Sequence, residues 1–464
     1  MTSNNLYLRF VQRVLPSPFS IAVILTLLTF VLALIFTERP ENAVEAYPLV
    51  VLGYWETGFW ELLQFTMQMA LILVLGHTLA LTPLVNRFIG LFLKYCHNTA
   101  SAALWISLLT ISVSFINWGL CLVFGAIFAR KVAEQAKAKG WRINYPLIGA
   151  AGYSGMMCWH GGFSGSAPLT VAGKEHFLTE QIGQIGIEQT LLSGMNITTS
   201  LALLIIIPAT FYLLGKRNSG TELKLKLESS NLLKQASSKH TNLEHETSNI
   251  EDPQGAERID HSKIAAYLLG GIICLIAIRK VWTASGGAGL SFINLNYINF
   301  LLFGLGILLH GSFSRFLSAI QEAIGGAAGI IIQFPLYAGI MGIMKYSGLA
   351  AGVSYAFVEI SNAATLPIFT LFSAGLVNIF VPSGGGQWAV QGPIIVESAQ
   401  VLNVSIPKTV MALSYGDQLT NMLQPFWALP LLGITKLKAR DILPYSMLIM
   451  LIGLAIFITM LLIF

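Results

Sequence analysis

The chain has 464 residues, 55% of them hydrophobic and only 11% charged, against about 25% charged in ordinary soluble domains. Too little charge is present to cover a water-facing surface, which excludes a soluble fold of this size. The net charge is +5, and no basic stretch is interleaved with aromatics, which argues against nucleic-acid binding. The expected class is therefore an all-α polytopic membrane protein.

In chain order, apolar segments fall at 18–37, 60–81, 101–130, 145–172, 190–214, 263–281, 292–310, 322–345, 364–398, 405–435 and 442–463. Most reach the roughly 20 residues that a helix needs to cross hydrocarbon. The first follows Arg9 and Arg13, as in a signal peptide. It is long and lacks a small-residue cleavage site, so a retained span is expected. Between 216 and 262 the composition turns to Lys, Glu, Ser and Asn with almost no aromatics. Such a stretch cannot bury a core and is expected to be a cytoplasmic disordered linker. Cys96, Cys121, Cys158 and Cys274 have no metal-ligand or disulfide spacing and read as apolar packing residues.

Positive charge sets orientation, since Lys and Arg accumulate on the cytoplasmic side. Arg9 and Arg13 place the N-terminus inside, and the acidic loop at 38–58 falls outside. Arg87 and Lys94 are inside again. The next cluster is Arg130, Lys131, Lys137, Lys139 and Arg142. It stays inside only if 101–130 enters the membrane and returns, with its tip near Ser114–Gly119. The segment 364–398 is interrupted by Pro382, Ser383 and Gly384 to Gly386, through which a continuous helix is very unfavourable. It reads as a second re-entrant hairpin, opening to the outside. Nine full spans remain, with the C-terminus outside. Arg279 and Lys280 fall on the outer side against the rule.

The two halves share one order of elements. Asn117 and Asn378, like Pro146 and Pro407, are 261 residues apart, and Tyr153 and Tyr415, like Pro168 and Pro430, are 262 apart. The lone span at 263–281 inverts the second half, which is the inverted-repeat plan of secondary transporters. The expected organisation is a first repeat at 1–215, the linker at 216–262, a connecting span at 263–285 and a second repeat at 286–464. Residues 145–172 and 405–435 carry glycines and polar residues at mid-membrane depth. They read as interrupted helices lining a cavity, because lipid cannot satisfy unwound backbone.

Asp417 is the first candidate functional residue, since an intramembrane carboxylate is costly without a role. Coordinating a coupling cation and carrying a proton are the roles it suits, with Asn421 in the same interrupted segment and His160 in the first one as further candidates. His160 also reads as a satisfied neutral imidazole. His77 and His310, near span ends, read as structural. Candidate substrate contacts are Ser114 and Asn117 at the first tip, Ser164 and Ser166 in the first break, and Asn378, Ser383, Gly384, Gly385 and Gly386 at the second tip. Backbone N–H groups at such helix starts bind anions, although an Asn there also serves as a simple cap. Trp118, Trp159 and Trp388 flank these positions as packing or as pocket walls. No Lys or Arg falls within the predicted tips or breaks, and Lys345 and Lys408 lie near the outer ends of their segments. A dicarboxylate site would recruit a guanidinium, so the pattern leans towards a small monocarboxylate with an apolar tail. No catalytic pair, metal-ligand spacing or phosphate loop points to an enzyme, and no cofactor is expected beyond a coupling H+ or Na+.

The strings FINWGLCLVFGAIFAR, GGFSGS, VPSGGGQWAVQGP and GDQLTNMLQPFWALPLLG resemble the AtoE-type short-chain fatty acid transporter family. The resemblance runs from the first span to the last and leaves out the linker. It implies uptake of acetoacetate- or butyrate-like acids across the bacterial inner membrane, in a homodimer whose hairpin-bearing domain moves as an elevator, and the inverted repeat, the tips and Asp417 add the expectation of cation symport. Carriage of another organic anion, such as a dicarboxylate or hydroxy acid, and cation/proton antiport are the alternatives.

Overall fold

The computed structural model describes residues 17–41, 43–173, 176–217, 255, 257–284 and 295–464. Arg9, Arg13 and most of the expected linker, 218–254, lie outside the described residues. Every regular element among the described residues is helical. Six helices are long and apolar enough to cross a membrane: Pro18–Phe36, Tyr47–Leu79 (interrupted once), Gly194–Arg217, Lys263–Trp282, Ala328–Tyr346 and Ala439–Ile463. With several shorter apolar helices between them, the chain is a multi-pass membrane protein.

The first helix, α1 (Pro18–Phe36), starts at Ser17, whose hydroxyl accepts from the Ser20 N–H. Two helices follow, α2 (Tyr47–Glu61) and α3 (Leu63–Ala80), parted only at Leu62. The outer loop expected at 38–58 is therefore mostly helix. Pro48 suits a first helical turn, and the apolar residues after it outweigh Glu56, while Glu38, Glu41 and Glu45, which with it gave the stretch its loop-like reading, lie before the helix. Glu61 consequently falls near the middle of a 33-residue apolar element.

Next come α4 (Pro83–Leu93), α5 (Thr99–Ser114) and α6 (Trp118–Ala138). The last two are separated by Phe115, Ile116 and Asn117. Asn117 caps α6 by accepting from the Leu120 N–H at 3.0 Å. The helix α7 (Tyr145–Tyr153) ends in two 3-10 turns, Ser154–Met157 and Trp159–Gly161, before α8 (Ser166–Ala172). The short α9 (Thr179–Ile182) and the long α10 (Gly194–Arg217) complete this half.

Beyond α11 (Glu257–Asp260), α12 (Lys263–Ala284), α13 (Leu295–His310) and α14 (Phe313–Ile324), the same order returns. It runs α15 (Ala328–Tyr346), α16 (Leu349–Glu359), α17 (Leu366–Phe380), α18 (Gly384–Val401), α19 (Ile406–Thr420), a 3-10 turn at Asn421–Leu423, α20 (Pro425–Thr435) and α21 (Ala439–Ile463). The expected single segment 322–345 is instead divided at Gly325 and Gly326, which part α14 from α15.

Close glycine contacts set the packing, as expected where helices associate through small residues rather than by hydrophobic exclusion. Gly58 of α2 faces Gly342 of α15, Phe65 of α3 stacks on Phe334 at 5.9 Å, and Gly326 abuts Leu73. Residue numbers rise in opposite directions along this contact, so α2–α3 and α15 are antiparallel. In the first half, α5 and α7 run parallel: Thr99 accepts from the Asn144 N–H, and Gly155 lies against the Thr110 carbonyl. In the second half, α17 and α19 also run parallel, and Gly416 lies against the Leu371 carbonyl. Gly155 and Gly416 are 261 residues apart, as are Thr110 and Leu371. One packing contact thus recurs at the spacing found in the sequence.

Candidate substrate and coupling site

The two interrupted helices meet in the interior. His160 lies on the 3-10 turn after α7, where Gly161 and Gly162 prevent the helix from continuing and Trp159 stacks on its ring at 4.4 Å. Its Nδ1 is 2.6 Å from Asp417 Oδ2. Both side chains are buried, with 0% and 1% exposure. The other ring nitrogen, Nε2, accepts from the Ala167 N–H at 3.1 Å. That amide fixes the tautomer: Nε2 bears the lone pair, so Nδ1 carries the hydrogen and donates it to the carboxylate. In this arrangement Nε2 is an acceptor and Nδ1 the donor to Asp417 Oδ2. The His160 N–H also donates to Gln418 Oε1 at 2.9 Å, and the Tyr153 hydroxyl donates to the Asn421 carbonyl at 2.7 Å. All four bonds hold the break of the first half or join it to that of the second.

Asn378 occupies the last turn of α17. Its Nδ2 faces three acceptors: the Asp417 carbonyl at 2.6 Å, Thr420 Oγ1 at 3.0 Å and Asn421 Oδ1 at 2.9 Å. Two amide hydrogens must serve all three. The Asn378 carbonyl accepts from Gln424 Nε2. Asn378 Oδ1, Asn421 Nδ2 and Gln424 Oε1 are buried without a partner among the described residues. Buried orphan polar atoms are rare because each costs the lost hydration of the group, and such a cluster suits a small polar ligand or ion.

The tips differ in how they are capped. Asn117 caps the first, whereas Ser383 caps the second by accepting from the Gly386 N–H at 3.2 Å. Ser164 accepts from the Trp118 N–H at 3.1 Å and ties the first tip to the first break. The Ser114 hydroxyl donates to the Ile111 carbonyl. Ser166 lies beside Gly384 and Gly385. A side chain on Gly384 would meet His160 Cε1 at 2.9 Å, Trp159 at 3.0 Å and Ser166 Oγ at 3.2 Å. The second tip therefore packs directly against the His160 ring. Trp118 packs edge-on against Trp427 at 5.0 Å, and Trp388 is buried beside Phe177. His77 contacts Arg130, and His310 contacts the Thr78 carbonyl, away from this centre. Cys96, Cys121 and Cys158 are buried free thiols and Cys274 is half-buried.

A cavity of about 340 Å³ adjoins the second tip. Ser383, Gly386 and Gln387 line it together with Met341, Val377, Val381, Glu61 and Lys345. Sequence position placed Lys345 near the outer end of its segment and away from the tips. Its long side chain reaches back along α15 to Glu61, at 3.2 Å, and brings a cation to the wall that Ser383 faces. Glu61 gave no signal in the sequence because it seemed to start a span rather than to lie inside one. Gln418 and Thr420 were visible only as polar residues of an interrupted helix.

Comparison with known proteins gives a consistent assignment. The sequence profile of the short chain fatty acid transporter family matches residues 2–464. A chain of Escherichia coli (strain K12) carrying the same family name is 36% identical over 453 residues, covering 97% of this chain and 96% of that one. A second, from Haemophilus influenzae, is 36% identical over 445 residues, with 94% of each covered. Among solved structures, the Neisseria gonorrhoeae MtrF efflux pump is 15% identical and covers 97% of each chain with a TM-score of 0.43. The Alcanivorax borkumensis YdaH transporter is also 15% identical, with a TM-score of 0.39 and 95% of this chain and 97% of that one covered.

Proposed function

The chain belongs to the short chain fatty acid transporter family, and from that premise we propose that it imports short-chain monocarboxylates by cation symport. The observation that carries this reading is the buried Asp417, held by His160 across the two interrupted helices. A buried carboxylate with a neutral partner keeps a net charge that is costly to move through a low-dielectric layer. A proton or sodium ion removes that cost. Neutralising Asp417 also removes its repulsion of the substrate carboxylate, so cation and monocarboxylate each favour the other's binding.

Two coupling ions suit the site. Asp417 can take a proton directly. The Asp417 carboxylate and the unpartnered Asn378 Oδ1 and Gln424 Oε1 are oxygens of the kind that sodium takes as ligands beside unwound transporter helices. The recurring order of helices and the repeated glycine contact support two inverted halves, with 101–130 and 364–398 as hairpins that open to opposite sides. The rigid parallel pairs α5–α7 and α17–α19 suit a hairpin-bearing body that moves as an elevator against α2, α3 and α15. The residence is the bacterial inner membrane, with the N-terminus cytoplasmic.

Purified protein in liposomes tests the proposal. Labelled butyrate or acetoacetate is expected to accumulate above its external level when an inward proton or sodium gradient is imposed. Uptake that only equilibrates under both gradients contradicts symport. A panel of competing acids separates this substrate class from dicarboxylates and hydroxy acids.

A further inference from the structure

The cavity beside the second tip pairs one cation with apolar walls. We infer that it is the receiving site for the substrate carboxylate, anchored by Lys345, with Glu61 as the internal anion that the substrate displaces. The inference rests on the monocarboxylate reading above and assigns its first binding step.

Four observations carry it. Lys345 Nζ lies 3.2 Å from Glu61 Oε1 and 3.3 Å from the Tyr346 hydroxyl, which itself donates to Glu61. The two charged side chains are 42% and 28% exposed, so the pair opens without unpacking the core. Ser383 and Gly386, at the capped start of α18, line the same cavity, where the Ser383 hydroxyl offers a donor to a second carboxylate oxygen. Met341, Val377, Val381 and Val390 line the remainder and take a short alkyl tail, each added methylene strengthening binding about fourfold until the space is filled.

The charge balance also sets selectivity. Lys345 matches one carboxylate, whereas Glu61 stands within the same cavity and repels a second. Released from Lys345, Glu61 retains the Tyr346 hydroxyl as a donor. Gly386 keeps the space open: a Cβ there would sit 3.0 Å from Ser383 Oγ and 3.6 Å from Met341 Sδ, so a bulkier side chain would occupy the cavity.

The test measures initial rates of labelled butyrate uptake by the full chain in liposomes. Lys345→Gln is expected to raise KM about tenfold with little change in kcat, the scale of one charge-assisted hydrogen bond, and Lys345→Arg to restore most of it. Glu61→Gln is expected to lower KM for butyrate and to admit succinate. A brace that merely held α2 to α15 would make both Gln variants fail together, and a raised KM in Glu61→Gln overturns the inference. Occupancy is read separately by maleimide alkylation of an Ala389→Cys variant in a Cys274→Ser background. Butyrate is expected to slow labelling, and Lys345→Gln to remove that protection. Transport without protection overturns the receiving site and leaves the symport reading standing. Protection without gradient-driven accumulation does the reverse.

Discussion

Asp417 and His160 are 257 residues apart in sequence and 2.6 Å apart in space. The carboxylate was legible because a charge inside an apolar segment needs a reason. Its partner was not, because nothing in a linear chain says which of eight histidines folds back onto it. The pair makes a thermodynamic prediction. His160→Ala leaves a buried carboxylate without its donor and is expected to destabilise the protein by about 1–3 kcal/mol, whereas in the Asp417→Asn background the same change costs much less. Thermal unfolding of the four proteins in detergent measures the coupling. Strictly additive losses would show that the contact contributes nothing. Asn117 and Asn378 carry a second lesson at this scale. Equal spacing suggested equal roles, yet Asn117 caps a helix and Asn378 bonds to the neighbouring break. Asn117 stands immediately before α6, whereas Pro382 moves the start of its counterpart five residues on, so that Ser383 becomes the cap.

At the scale of elements, the break before Gly384 was readable from Pro382 and its glycines and the break after Ser114 from the positive charges that follow it, and helices do end at both places. The helical stretch from Tyr47 was missed because acidic residues at its edge imitated a loop, and the α14–α15 division was missed because Gly325 and Gly326 sit in an otherwise unbroken apolar run. Pairing between elements was beyond reach of the sequence, since the contacts of Gly155 and Gly416 depend on which helix lies alongside. Those contacts predict a graded response. A Cβ at Gly416 would lie 2.2 Å from the Leu371 carbonyl, a backbone atom that cannot yield. At Gly155 the nearest atom is Cys121 Sγ, at 2.8 Å, and Gly53 has nothing within 4 Å. Gly416→Ala is therefore expected to cost about 1–3 kcal/mol, Gly155→Ala less, and Gly53→Ala to be neutral or slightly stabilising in its helix. Ranking the three by melting temperature checks this, and equal effects would refute the close packing of α17 on α19.

At the scale of the whole molecule, the sequence already spoke for a membrane-embedded carrier through its composition, and family membership now states the substrate class. What composition left out was where the halves touch. The first half supplies an imidazole and an amide, the second a carboxylate, and the second tip lies against the imidazole. The centre is thus asymmetric in charge although the helices around it repeat. Under the proposed symport, that asymmetry would let a bound cation decide when the moving body crosses.

Comparing accumulation with exchange in the same liposomes reads that decision directly. Wild-type protein is expected to concentrate labelled butyrate under an imposed cation gradient and also to exchange it against internal butyrate. Asp417→Asn is expected to lose the gradient-driven accumulation. Accumulation by Asp417→Asn at the wild-type level would contradict the assignment of coupling to this carboxylate.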